Sequence, residues 1–209
     1  MDISALNEKQ RIHFIENYKP VINNLGNMLS FPFKHKLMLF KLTNRKKINS
    51  MIKNTENFVN KLRNIKNSNQ TVDVDAQLAM MENSLALLHS VKRASNNYKK
   101  LKHLRTHFKN ADNFFPYYKE LFDVNNAYVG LLSDIINKYN ELTSLLIKNP
   151  DKRYFYSFMD KEEAEKLAEL IVGIGKFASK SQALIDFLVK KQQSSRHELD
   201  KVFNDAKSL

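Results

Sequence analysis

Two histidines, His103 and His107, have the spacing of a metal-binding pair. Residues four apart share one face of a helix, which is how helical zinc sites present two imidazoles. No glutamate follows His103 as it does in helical metalloproteases, and the charges of Lys102, Arg105 and Lys109 oppose a dication. We therefore predict no metal site and expect the imidazoles to add positive charge below about pH 6.5.

The acidic residues offer no catalytic site either. Glu162, Glu163 and Glu165 are clustered, but no histidine lies near them in sequence to share proton transfer. At a helix start these carboxylates would instead interact favourably with the helix dipole. The chain has no cysteine, which excludes thiolate catalysis and disulfides. It also lacks a glycine-rich phosphate loop and a nucleophile elbow. We predict a protein that is not an enzyme and uses no cofactor.

The strongest chemical signal is positive charge. The chain has 34 Lys and Arg against 22 Asp and Glu, a formal net charge of +12 at pH 7. Fourteen of the basic residues lie in two windows, residues 34–53 and 92–109, and neither window contains an acid. The windows therefore account for all the excess charge. Such a charge indicates an anionic partner: a phospholipid surface, a nucleic acid or an acidic protein.

Aromatic residues lie next to these windows, in the segments SFPF (30–33) and NFFPYY (113–118). At an anionic membrane the rings enter the interface, and each nearby cation adds about 1 kcal/mol. On single-stranded nucleic acid the rings would stack on bases. The cations predicted to bind the anionic surface are Lys34, Lys36, Lys41, Arg45, Lys46, Lys47, Lys99, Lys100, Lys102, Arg105 and Lys109. The predicted interface aromatics are Phe31, Phe33, Phe114, Phe115 and Tyr117.

Long aliphatic side chains favour a membrane over nucleic acid. Near the stretch from Leu37 to Leu42 they are interleaved with basic residues, and such aliphatic residues insert into lipid but stack poorly on bases. There is no helix-turn-helix, RNP or KH signature. The first hypothesis is therefore peripheral docking on an anionic phospholipid membrane, and nucleic-acid binding by the same surface is the alternative. A third hypothesis is an adaptor or coiled-coil homodimer in which Asn125 and Ser181 set the register.

Helical periodicity positions these residues. Four Gly and four Pro in 209 residues favour long helices. Apolar residues spaced alternately by three and four predict helices that contain residues 48–65, 75–109 and 117–148, and a last helix that starts at Asp160 with Glu163 as a capping box. The clearest stripe comprises Tyr118, Leu121, Asn125, Tyr128, Leu132, Ile135, Tyr139, Leu142 and Leu146.

The N-terminal segment is predicted as one helix bent at Pro20 or as two short ones. Its apolar residues are Ile3, Leu6, Ile12, Ile15, Tyr18, Ile22, Leu25 and Met28. Gly173 and Gly175 in the last helix indicate close approach by a neighbouring helix in preference to a hinge. Short connections make successive helices antiparallel neighbours. The predicted fold is all-α: an elongated antiparallel bundle of four long helices plus the N-terminal segment. It forms one domain over residues 1–209, with residues 1–29 as a candidate appendage.

Antiparallel packing would bring both basic windows and both aromatic segments to one end of the bundle, together with the last helix's Lys190, Lys191, Arg196 and Lys201. We call this predicted end the basic pole. The layout is similar in kind to the four-helix localisation modules of some bacterial toxins, an analogy without a shared residue motif. The start of the chain lacks a signal-peptide pattern, and the longest uncharged run, residues 21–33, is too short to span a bilayer. We predict a cytoplasmic or peripheral membrane protein. A cysteine-free secreted effector would have the same composition.

Overall fold

The computed structural model describes residues 3–30, 45–68, 73–107, 114–150 and 159–209. These residues form five α-helices after a single 3-10 turn (Ile3–Ala5), and none of them forms a strand. The helices are α1 (Glu8–Ser30), α2 (Arg45–Asn67), α3 (Asp75–His107), α4 (Phe114–Lys148) and α5 (Lys161–Lys207). The predicted all-α bundle of four long helices and an N-terminal helix is confirmed.

The helices pack into two compact units. The first comprises residues 1–36, 97–129 and 183–209, and the second comprises residues 37–96 and 130–182. Helix α1 lies in the first unit and α2 in the second, while α3, α4 and α5 contribute residues to both. Each unit therefore has four helical segments, enough to enclose a bundle core.

In the first unit, α1 packs against the end of α5 through aromatic rings. Phe14 and Tyr18 stack with their centroids 5.6 Å apart, and Phe14 meets Phe203 edge-on at 6.1 Å. All three side chains are buried. The amide Nε2 of Gln10 also donates a hydrogen bond to the carbonyl of Lys207, at 3.2 Å. These contacts hold α1 on α5 within this unit.

The predicted apolar face of the N-terminal segment is confirmed at Leu6 and Tyr18, which are buried, and is wrong at Ile12 and Ile15, which are 54% and 41% exposed. The side chains of Ile3, Ile22, Leu25 and Met28 lie outside the described residues. Phe14 and Val21 are buried beside Tyr18. These three have the i, i+4, i+7 spacing of one helix face, and a helix can turn only one such face to its neighbour. The larger aromatic rings take the core side, which leaves Ile12 and Ile15 toward solvent. The helix continues through Pro20, so the segment is one helix and not two.

In the second unit, α2 and α3 form an antiparallel hairpin. Arg63 pairs with Glu82 at 2.7 Å and Lys66 with Asp75 at 2.9 Å. Nearer the start of α2, Glu56 lies 3.4 Å from the imidazole of His89. Residue numbers thus fall along α3 as they rise along α2, as the short connection predicts. Exposed ion pairs of this kind each add little stability. The buried apolar face of α2 therefore provides most of the stability of the α2–α3 hairpin.

The heptad stripe of α4 is confirmed wherever its side chains are described. Its described members from Leu121 to Leu142 are buried except Tyr139, which is half-buried like Leu146. On α5 the buried face is wide: Ala164, Leu167, Ile174, Phe177, Ala178, Ser181, Leu184, Ile185 and Leu188 are all buried. A helix that contacts more than one neighbouring helix buries a wider face than the two positions per heptad that a simple coiled coil buries.

Two polar residues on the buried faces of α4 and α5 make hydrogen bonds within the chain. The Asn125 side chain is fully buried, and its Nδ2 donates to Oε1 of Gln192 on α5. The Ser181 hydroxyl, also buried, donates to the carbonyl of Phe177 at 2.8 Å. Each of these side chains therefore donates a hydrogen bond within the chain. The homodimer hypothesis stays a prediction.

Gly175 lets α4 and α5 approach closely within the second unit. A methyl group placed on Gly175 would overlap the Tyr139 ring, with Cε2 of that ring only 2.9 Å away. At this position the close-approach interpretation is confirmed. The absence of a side chain on α5 makes room for the half-buried tyrosine of α4.

Candidate anion-binding surface

Three lysines of the second basic window, Lys99, Lys100 and Lys102, lie on α3 in the first unit, and all are exposed. Their orientation follows from their neighbours, because Tyr98, Leu101 and Leu104 of the same helix are buried. No described acid forms an ion pair with any of the three lysines. They also lie more than one turn from the end of α3, beyond the reach of the helix dipole. Among the described residues, no carboxylate competes with an external anion for these three charges.

The first window is described from Arg45 onward, and Lys46 and Lys47 are exposed in the first turn of α2. Ile48, the next residue of α2, is buried, whereas both lysines lie on the exposed side of the helix. The first turn of α2 contains no acid, although a helix N-terminus favours negative side chains. Cations at this position disfavour the helix, so their placement is not explained by helix stability.

Other cations are paired within the second unit. Arg93 belongs to the second window but lies 3.9 Å from Asp134, which also pairs with Lys138. Arg63 and Lys66 pair with acids of α3, as described above. The described lysines of the predicted surface differ from these cations in having no acidic partner among the described residues.

The other predicted site residues divide into two groups. Lys34, Lys36, Lys41, Lys109, Phe31 and Phe33 lie outside the described residues. For a second group the structure describes the helical backbone alone: Arg45 starts α2, Arg105 lies in the last turn of α3, and Phe114, Phe115 and Tyr117 lie in the first turn of α4.

The predicted basic pole draws on both units. The end of α3, the start of α4 and the end of α5 all belong to the first unit, and Lys190, Lys191, Arg196 and Lys201 of α5 are exposed there. Lys46 and Lys47 belong to the second unit. The juxtaposition of the two windows therefore stays a prediction.

Sequence reasoning missed a groove of about 280 Å³ in the second unit. Its lining residues come from α2, from α5 and from Met159 just before α5: Lys47, Ser50, Met51, Asn54, Thr55, Met159, Glu163, Lys166 and Leu167. The sequence contained one partial indication of this groove. Lys47 and Met51 are four residues apart, which places a cation beside an apolar side chain on one face of α2.

The start of α5 shapes one wall of this groove. Oδ1 of Asp160 accepts hydrogen bonds from the backbone N–H groups of Glu162 and Glu163, at 2.9 and 3.3 Å, so the N-cap half of the predicted capping box is confirmed. The Glu163 side chain points to a different partner. Oε1 of Glu163 accepts a hydrogen bond from Nδ2 of Asn54 at 2.8 Å. This glutamate therefore ties α5 to α2 as well as favouring the helix start.

In the described part of the chain, no three His, Asp or Glu side chains cluster closely enough to hold a metal ion. None of the described helices combines the length and the hydropathy needed to cross a bilayer. No family model, curated protein or solved structure matches the chain. The functional proposals below therefore rest on the residues of this chain.

Proposed function

We propose that this protein is a non-enzymatic helical bundle that docks its predicted basic pole onto an anionic phospholipid membrane. One observation carries the proposal. Lys46, Lys47, Lys99, Lys100 and Lys102 are all exposed, and none has an acidic partner among the described residues. An unpaired ammonium group can meet a lipid phosphate without first giving up an internal partner.

The expected strength is that of reversible docking. At about 1 kcal/mol per cation near an anionic surface, the three lysines of the first unit supply roughly 3 kcal/mol and the two of the second unit roughly 2 kcal/mol. When both sets contact one bilayer, the sum corresponds to a dissociation constant of roughly 0.2 mM. The remaining predicted cations and aromatics would strengthen the attachment, and the aromatics would make part of it resistant to salt.

Vesicle co-sedimentation tests the proposal. The protein should sediment with phosphatidylcholine vesicles that contain phosphatidylserine, and much less with pure phosphatidylcholine. Loss of two cations is worth about 2 kcal/mol, so the pair K99E/K100E should weaken partitioning by at least about thirtyfold. K46E/K47E should do the same. Each variant should keep the helical circular dichroism of the parent.

The matched control is K176E/K180E, which makes the same change in charge at two exposed lysines of α5 outside the predicted surface. It should change partitioning by less than threefold. Equal binding to neutral vesicles, or equal losses in all three variants, would overturn the proposal. If the reversals abolish binding to oligonucleotides but leave vesicle binding intact, the nucleic-acid alternative replaces it.

A further inference from the structure

The groove between α2 and α5 has an apolar floor. Met51, Met159, Leu167 and Thr55 line it, and each of these residues is at most 9% exposed. Methionine side chains are flexible and polarisable, so a floor with two of them can adapt to an aliphatic ligand. At about 280 Å³ the groove is slightly below the usual range of ligand sites, roughly 300–1,000 Å³. It suits one part of an amphiphile better than a whole large ligand.

The rim of the groove carries cations on both helical walls. Lys47 lies on the α2 wall and has no acidic partner among the described residues, and Lys166 lies on the α5 wall. Lys166 pairs with Glu162 of the same helix, an exposed contact that an incoming anion can replace. Glu163 also lines the groove, but its carboxylate already accepts a hydrogen bond from Asn54. Among the lining residues the two ammonium groups outnumber the one carboxylate, while Glu162 and Asp160 lie near Lys166 outside the lining.

We propose that this groove binds one anionic phospholipid, with the phosphate against Lys47 and Lys166 and the first part of one acyl chain on Met51, Met159 and Leu167. The inference rests on the proposed function, because Lys47 belongs to the surface assigned to membrane docking. Beyond general docking, the inference assigns a specific site, in which one lipid is held by both its phosphate and its acyl chain. Charge complementarity selects the anion, and the buried apolar floor selects an amphiphile over free phosphate.

Methionine-methyl NMR gives a direct test, since the chain has only seven methionines. The protein is labelled at its methionine methyl groups and titrated with dihexanoyl phosphatidylserine below the concentration at which this lipid aggregates. The resonances of Met51 and Met159, assigned by substitution with leucine, should shift and saturate. Those of Met80 and Met81, buried in α3, serve as internal references and should not shift.

Four comparisons test the chemistry. Dihexanoyl phosphatidylcholine should bind at least tenfold more weakly, and glycerophosphoserine, which lacks acyl chains, should also bind at least tenfold more weakly. Lys47→Glu should weaken binding at least tenfold, whereas Lys53→Glu, an exposed lysine of the same helix outside the groove, should change it less than twofold. Glu163→Gln should tighten binding severalfold, because it removes the one negative charge of the lining.

The inference is overturned if the Met51 and Met159 methyl groups do not shift, or if phosphatidylcholine binds as well as phosphatidylserine. Equal effects of K47E and K53E would also overturn it. Co-sedimentation of the same samples separates the two proposals. Retained vesicle binding without methyl shifts removes the lipid site and leaves membrane docking in place. Saturable methyl shifts without vesicle binding remove membrane docking and support the site for a single lipid.

Discussion

At the scale of single residues, charged side chains divide into those that are paired inside the chain and those that are not. Asp134 has the richest set of partners, because it accepts hydrogen bonds from Ser90 and Lys138 and lies 3.9 Å from Arg93. Partial burial alone would raise the pKa of Asp134. The hydrogen bonds from Lys138 and Ser90 and the nearby positive charges outweigh that effect and hold this pKa below its usual value. Arg93 is therefore a structural cation, although it belongs to a basic window.

Replacing Asp134 with asparagine should lower the free energy of unfolding by about 1 kcal/mol at pH 7. Hydrogen bonds to a charged group are worth about 1.5–3 kcal/mol, and we discount this range because the side chain is 32% exposed. A carboxylate whose pKa is depressed in the folded state stabilises the protein fully above its unfolded pKa, about 3.9. That contribution disappears as the pH falls through the folded pKa. Urea denaturation should therefore show the gap between parent and D134N closing below about pH 4.

Asp123→Asn is the control, since Asp123 lies on the same helix and is exposed. Its effect should stay within about 0.5 kcal/mol at every pH. A gap between parent and D134N that stays constant from pH 7 to pH 2 would contradict the ionic role assigned to Asp134.

At the scale of elements, the contact between α4 and α5 depends on one glycine. Alanine at Gly175 would gain about 1 kcal/mol of helix propensity, but overpacking against Tyr139 costs about 1–3 kcal/mol. We expect G175A to lower the free energy of unfolding by about 1 kcal/mol in urea denaturation. In the double variant with Tyr139→Leu, the combined loss should be smaller than the sum of the two single losses, because the obstructing ring is gone.

Gly130 on α4 is the matched control, since a methyl group there would meet nothing within 4 Å. G130A should raise the free energy of unfolding by up to about 1 kcal/mol through helix propensity alone. If both alanine variants stabilise the protein equally, the close contact at Gly175 has no energetic importance.

At the scale of the whole molecule, a net charge of +12 makes the protein repel itself. Added salt screens this repulsion, because the Debye length falls to about 10 Å at 0.1 M. We expect Tm to rise by about 2–4 °C, equivalent to about 1 kcal/mol for a chain of this size, between very low salt and about 0.2 M sodium chloride. Membrane binding should weaken over the same range, so salt should have opposite effects on stability and docking.

Circular dichroism melts at several salt concentrations check this expectation. K99E/K100E, which lowers the net charge by four units, should show a smaller rise in Tm. A Tm that falls with salt would mean that attractive surface pairs outweigh the repulsion.

The type and order of the helices follow from the sequence alone, whereas the structure decided that the N-terminal segment is one helix and not two. Scarce glycine and proline and the regular spacing of apolar residues act within a few turns, so local physics is enough to predict them. The spacing on α4 also identified its buried face. The exposure of Lys99, Lys100 and Lys102 follows from the same reasoning, because their buried neighbours Tyr98 and Leu101 turn them outward.

Tertiary structure decided what depends on distant partners. On α1 both an isoleucine face and an aromatic face were available, and packing against Phe203 selected the face that contains Phe14. The pairing of Arg93 with Asp134 and the groove between α2 and α5 each join helices that are far apart in sequence. Glu163 and Asn54 are 109 residues apart, so no local pattern could have linked them. Periodicity states which face of a helix is apolar, but the neighbour against that face is chosen by packing of the whole chain.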